Sequence, residues 1–458
     1  MNYTLKEIQE LPLVGVGTDA DLNYWMCSLI GSCKGVITSN RSQFCTSKIS
    51  QDFFHISPPD ILEDLTGVRY YLSISEKKLH TIMNGKDTRY STFPINFHKL
   101  VKHTLKELVE KSDSEVLVRP YMSSHEIFEL ERIKGIKVLA HDAKKKDIFA
   151  SKCDVFEMAI EIGLPVPEGI VASNISEAAE YIDFHGNKSF FVSLETGAGG
   201  SGVSKVKTGA ELLDEFPLYE GRVLVTNWIN NIELSPNVLI MVGPDKVDYL
   251  AITDQILINN TKYSGNKSPS NANREAKRRI KDYSFQFGEL LREKKFYGRA
   301  GIDFMLSGET VWFGEGNTGR DNHSSLQNVL ARLGHDSYPI PVIDAGILLN
   351  ASGDYPDSYD LIEKPWKMEL IRAFPGTQMM NYTSQNNDKE LFENKIDSSI
   401  ITSTPLNNTN IIKSKKSHDD KMGSSDLVEI GRLVAHGPNF QQTSELEKRK
   451  FFSQLRTL

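Results

Sequence analysis

The segment Glu195-Thr196-Gly197-Ala198-Gly199-Gly200-Ser201-Gly202-Val203 constrains this chain more than any other. It follows directly on an apolar run, Ser189-Phe190-Phe191-Val192-Ser193-Leu194, which reads as a buried strand. Four glycines in six positions are costly inside regular structure, and their missing side chains let successive backbone N–H groups close on an anion. The loop lacks a Gly-Lys-Ser/Thr ending, and no helical pattern begins where it stops. It therefore reads as a hairpin lid over phosphates and not as a P-loop. A merely flexible turn is the alternative that this segment alone leaves open.

A second element lies downstream. Gly301-Ile302-Asp303-Phe304 and Phe313-Gly314-Glu315-Gly316-Asn317 read as neighbouring strands joined by a short hairpin. Placed on one side of that pair, Asp303, Glu315 and Asn317 form a set of hard oxygen donors of the kind Mg2+ takes together with phosphate oxygens. Without the glycine loop, solvated carboxylates at strand ends would be the simpler reading.

The 458 residues are enough for about three folding units. With 39% hydrophobic and 25% charged residues, the chain is neither disordered nor fibrous. Its net charge of −7 gives no global positive field for a nucleic-acid partner. No long apolar run and no apolar stretch at Met1-Asn2-Tyr3-Thr4-Leu5-Lys6-Glu7 is seen, which predicts a cytoplasmic protein without a membrane partner. Cys27, Cys33, Cys45 and Cys153 lack CxxC spacing and read as packing residues.

Residues 1–145 alternate apolar runs such as Gly35-Val36-Ile37-Thr38 and Val116-Leu117-Val118 with helical stretches, predicting an open α/β layer. Gly15-Val16-Gly17-Thr18-Asp19 lacks the third glycine of a dinucleotide fingerprint and reads as a strand-end turn. A helix over 154–162 is stopped by Gly163, Pro165 and Pro167 and leads into a strand at 169–172. Segments 222–229, 238–242 and 247–258 alternate as antiparallel strands, and Tyr283, Phe287, Leu290 and Leu291 mark an amphipathic helix. Residues 386–425, rich in Asn, Ser, Thr, Asp and Lys, read as a linker, and a strand returns to the body from Leu427.

The order of these motifs from Lys152 to Asn322 resembles the ATP-grasp fold. The resemblance implies an α/β and α+β chain with three parts: a Rossmann-like pre-ATP-grasp domain over 1–145, a two-lobed ATP-grasp body over 146–350 and a C-terminal extension over 351–458. It also implies an ADP-forming carboxylate–amine ligase that uses ATP and Mg2+ and makes an amide or peptide bond through an acyl phosphate. Its partners would be small-molecule carboxylates and amines, amino acids or peptides, and a homodimer is compatible with it. Carried over residue by residue, Lys152 meets the nucleotide phosphates, and Gly197, Ala198, Gly199, Gly200, Ser201 and Gly202 cover them. Thr226, Asn227, Trp228 and Ile229 form the hinge that reads adenine, and Glu233 completes the nucleotide set. Asp303, Glu315 and Asn317 hold the metal, and Arg299 or Arg320 stabilises the acyl phosphate. A narrower resemblance, carried by Pro120-Tyr121-Met122-Ser123-Ser124-His125, Gly135-Ile136-Lys137-Val138, Asp254-Gln255-Ile256-Leu257 and Tyr263-Ser264-Gly265-Asn266, is to peptide ligases with a pre-ATP-grasp domain.

The chain departs from that pattern at Ser193, where most members carry a lysine for the α- and β-phosphates. Either another cation, Lys188 or Lys205, substitutes, or nucleotide binds weakly. Arg320 follows Asn317 by three residues where two is usual, so which arginine serves stays open. Arg274, Lys277, Arg278, Arg279 and Lys281 read as a solvated helix face, and His323 as a loop histidine. Two other readings compete: a carboxylate activator with a non-amine acceptor, and a nucleotide-binding regulatory module without turnover.

Overall fold

A capping box starts the first element: Thr4 Oγ1 accepts from the Glu7 N–H while the Glu7 carboxylate accepts from the Thr4 N–H, setting α1 (Leu5–Glu10). The structure, a computed structural model, describes residues 3–11, 13–17, 33–38, 54–57, 70–73, 114–120, 125–186, 188–195, 202–258, 262–318, 340–349, 366–373, 377–379, 399–403, 428–436 and 455–457, with a few positions between 102 and 110.

Six short strands, β1 (Leu13–Gly17), β2 (Cys33–Thr38), β3 (Phe54–Ser57), β4 (Tyr70–Ser73), β5 (Val116–Pro120) and β6 (Ile136–Val138), form a sheet in the order β4-β3-β2-β1-β5-β6. All its pairings are parallel. Gly15 and Gly17 lie within β1 and not in a turn; Thr18 and Asp19 fall outside the described residues.

Two helices then meet at Ser151, whose extended backbone ends α2 (Ala143–Ala150) and starts α3 (Lys152–Glu161). Its hydroxyl accepts from the Asp154 N–H, satisfying an otherwise orphaned donor. Beyond α3 come β7 (Gly169–Ala172), α4 (Ile175–Phe184), β8 (Phe190–Leu194), β9 (Val203–Val206), α5 (Gly209–Glu215) and β10 (Val223–Asn227). The strands make an antiparallel sheet, order β7-β10-β8-β9, with α4 and α5 packed on the face that bears Phe190, Val192, Val223 and Val225. β7 and β10 approach so closely at Gly169 that an added Cβ would stand 2.1 Å from the Val225 carbonyl oxygen, so only glycine fits there.

The next strands are β11 (Pro236–Val242), β12 (Val247–Ile258), β13 (Lys262–Ser268), β14 (Gly298–Ser307) and β15 (Thr310–Asn317), with α6 (Arg274–Glu293) between β13 and β14. After α7 (Ile340–Leu348) come β16 (Trp366–Ala373), β17 (Thr377–Met379), β18 (Ser399–Ser403), β19 (Val428–His436) and β20 (Leu455–Thr457). Eight of these strands form one sheet, order β15-β14-β11-β12-β13-β16-β19-β18, while β17 and β20 pair separately. The strand expected from Leu427 is β19. The stretch read as a linker contains β18, which pairs with β19 through Ile400 and Ile401.

The large sheet packs Val238, Ile240, Ile302 and Phe304 against Phe287 and Leu291 of α6 and Val155 and Met158 of α3. On its other side α3 sets Cys153 and Phe156 against Leu224 of the small sheet. The helix that begins with Lys152 is thus shared by both cores. Burial pushes the Cys153 thiol up to about 12, as befits a packing residue. The basic run on α6 is a solvated face, with Arg278 and Arg279 paired to Glu275 and Asp282. Among the described residues no helix is long and apolar enough to cross a membrane.

Candidate active site

The face of β14 opposite the core carries Asp303, whose register partners are Asn237 on β11 and Glu315 on β15. Directly opposed residues share a sheet face, so these side chains gather with Asn317, the partner of Gly301. A bulge makes this possible. Phe304 pairs with Phe313 and Asp303 with Glu315, which leaves Gly314 as the extra residue on β15. Phe313 therefore faces the core while Glu315, two residues on, faces the site.

Asp303 is wrapped by amides. Asn237 Nδ2 donates to one of its oxygens, Asn317 Nδ2 donates to the other at 2.8 Å, and Gln255 adds a third hydrogen bond. Burial, reinforced by the Glu315 charge, pushes the Asp303 carboxyl up to about 7, against the pull of these donors. Lys152 Nζ stands 3.6 Å from Glu315 Oε2. The lysine predicted for phosphates and a residue predicted for metal are thus side by side.

Lys152 is held there by the end of β8. Its N–H donates to the Glu195 carbonyl at 3.0 Å, and the Ser151 hydroxyl donates to Glu195 Oε1 at 3.0 Å. Arg222 ties the same corner to Asp154 at 2.5 Å, Glu157 at 2.7 Å and Glu195 at 3.4 Å. The glycine-rich loop leaves from this point. Gly197, Ala198, Gly199, Gly200 and Ser201 lie outside the described residues, but the hairpin they span closes as expected: β8 and β9 are antiparallel, and the Leu194 N–H donates to the Gly202 carbonyl at 2.8 Å. Gly202 has a φ of +73°, a conformation that favours glycine.

Ser193 is buried, and its hydroxyl donates to the Leu194 carbonyl at 3.3 Å. In the hinge, the N–H groups of Asn227 and Trp228 donate to the Glu168 and Ser189 carbonyls at 2.8 and 3.0 Å, while Asn227 Nδ2 donates to Glu168 Oε2 at 2.8 Å. Thr226 lies on the sheet face away from α4 and α5, and Ile229 follows where β10 has ended. Glu233 turns to the hairpin between β14 and β15, accepting from the Gly308 N–H at 3.1 Å.

Arg299 is placed otherwise than the sequence reading expects. It lies four residues before Asp303 on β14, roughly 13 Å along the strand. Its Nε donates to Asp344 Oδ2 at 2.9 Å, and Arg119 Nη2 donates to the same oxygen at 2.6 Å, all three side chains being buried. Its guanidinium is therefore part of a buried ion-pair node and does not reach the carboxylates at Asp303. Arg320 and His323 lie outside the described residues.

Two partners of Asp303 have no site role in the sequence reading: Asn237, and Gln255, which enters there only within the motif Asp254-Gln255-Ile256-Leu257. The only signal for the first is a polar residue inside the apolar run Pro236-Asn237-Val238-Leu239-Ile240. The donor set that results is two carboxylates and an amide oxygen; among the described residues, no three His, Cys, Asp or Glu side chains gather. Such hard, oxygen-only donors fit Mg2+, which keeps positions for water and phosphate oxygens. With Lys152 adjacent, the arrangement fits a magnesium–nucleotide phosphate chain.

No family model matches the sequence, and no curated protein matches it. Solved structures do. The biotin carboxylase of Campylobacter jejuni superposes with a TM-score of 0.63 at 12% identity, covering 98% of this chain and 92% of that one. The biotin carboxylase domain of Hydrogenobacter thermophilus 2-oxoglutarate carboxylase, a dimer bound to MgADP, ADP and bicarbonate, gives 0.60 at 13%, covering 97% and 90%. An N5-carboxyaminoimidazole synthetase of Staphylococcus aureus complexed with ADP gives 0.55 at 13%, covering 96% and 97%. These likenesses show the fold alone: the chain has an ATP-grasp fold.

Proposed function

We propose that this chain is an ATP-dependent, ADP-forming carboxylate–amine ligase acting on small molecules, with amino acids or peptides as substrates. The observation that carries the reading is the meeting of Lys152 with Glu315 beside Asp303 and Asn317. The solved relatives support it, since those complexed with MgADP, ADP or ATP place nucleotide on the same fold. Magnesium-bound ATP supplies the phosphoryl group that converts a carboxylate to an acyl phosphate, from which an amine displaces phosphate to give the amide.

The chain's own residues do the rest. Asp303, Glu315 and Asn317 hold the metal, and Lys152 offsets phosphate charge. The loop 197–202 excludes water that would hydrolyse the activated carboxylate. Thr226, Asn227, Trp228 and Ile229 hold the base, with Glu233 beside them, and Arg320 meets the developing oxyanion. Residues 1–145, 146–350 and 351–458 serve as the pre-ATP-grasp, ATP-grasp and C-terminal parts of a cytoplasmic enzyme.

Product analysis tests the reading. ADP and phosphate are expected in a screen of amino-acid and dipeptide pairs, and AMP with pyrophosphate would overturn the acyl-phosphate route. A second reading, activation of a carboxylate for a non-amine acceptor, draws on the relative bound to bicarbonate, so bicarbonate belongs in the same screen. Glu315→Gln keeps the shape and removes the charge of a metal ligand. It is expected to lower turnover at least about 100-fold with an unchanged circular dichroism spectrum.

A further inference from the structure

The two faces of the small sheet carry different chemistry. One packs on α4 and α5; the other, through Leu224, meets the helix that begins with Lys152. Register places Leu224 and Thr226 of β10, Phe191 and Ser193 of β8, and Val203 and Lys205 of β9 on this second face. Lys205 is the one charged residue among these six. It stands opposite Phe191 and is the diagonal neighbour of Ser193, roughly 7–8 Å away between Cα positions and within reach of a lysine stem.

Lys188 belongs to the other face. Its ammonium lies 5.3 Å from the centroid of Phe190, whose ring is packed in the core under α4 and α5. Lys205 Nζ instead lies 4.2 Å from the centroid of Trp228, at the end of the hinge. Lys152 is matched by Glu315, and Arg222 by three carboxylates, but among the described residues no carboxylate pairs with Lys205. A cation over the half-buried Trp228 indole is held more weakly than one bonded to phosphate. The contact therefore keeps the ammonium on this face of the small sheet, at the end of the hinge, without committing it.

We propose that Lys205 supplies the nucleotide's phosphates with the positive charge that Ser193 cannot, resting on Trp228 until the phosphates draw it off. The assignment rests on the ligase reading only in requiring a nucleotide on this face of the small sheet.

The test is calorimetric titration of the full-length protein with MgADP and MgATP, paired with indole emission. Lys205→Ala should weaken both nucleotides about 10- to 100-fold and flatten the salt dependence of binding, whereas Lys205→Arg should retain most of the affinity. Lys188→Ala should bind as the native protein does. Nucleotide should change the native emission, and that change should be absent from Trp228→Phe and reduced in Lys205→Ala. Native-like affinity in Lys205→Ala, or an equal loss in Lys188→Ala, would overturn the assignment and leave the ligase reading standing. Failure of the native protein to bind either nucleotide would overturn both.

Discussion

Asp303 holds a carboxyl group where the fold would rather have it neutral. Its ionisation near pH 7, against an ordinary 3.8, means that the folded state binds more protons than the unfolded chain between those values. Stability from this group therefore falls as pH rises from about 4 to 7. Melting of the metal-free protein across that window should show the decline, and Mg2+ should remove much of it by matching the ionised form. Asp344 behaves oppositely. Burial would raise its carboxyl, but Arg299, Arg119 and His141 outweigh burial and hold it at about 2. Its contribution is present above the ordinary value of 3.8 and is lost as pH falls toward 2. Asp344→Asn removes the charge that two buried guanidinium groups share and should cost about 3–5 kcal/mol in urea unfolding at pH 7.

Among the elements, those marked by local signals were legible in the sequence. The strand 169–172 follows a Gly-Pro-Pro stop, β12 lies in a run rich in apolar and β-branched residues, and α6 shows its apolar stripe in Tyr283, Phe287, Leu290 and Leu291. What stayed hidden depends on pairing across the chain. Alternation from Phe313 would send Glu315 to the core; the bulge at Gly314 turns it outward to Asp303. Arg299 reads as catalytic because its partner Asp344 is 45 residues away. β18 was obscured by the polar residues around Ile400 and Ile401, which only β19 turns into a strand. Gly169→Ala tests the tightest of these pairings. With its Cβ 2.1 Å from a backbone oxygen, β7 must part from β10, and a melting temperature lower by several degrees is expected even though alanine suits a strand better than glycine.

Across the whole molecule, the large sheet joins regions far apart in sequence. β13 pairs on one side with β12 and on the other with β16, which in turn carries β19 and β18. A chain ended at residue 350 would keep the proposed metal ligands and Lys152 but would leave the outer edge of β13 without its partner. Gel filtration of that fragment should show association, because an open edge is a template for another strand. A monodisperse monomer would mean that the edge is covered by something else.

The same arrangement sets a schedule for biosynthesis. β13 ends at Ser268 and its partner begins at Trp366, so about 98 residues must be translated between them. At about 5–20 residues per second this takes roughly 5–20 s. During that interval the strands of the proposed site can form while the border of their sheet remains adhesive. Cellular yield of this protein should therefore depend on how well nascent chains are shielded in that window, even for variants whose finished form is fully stable.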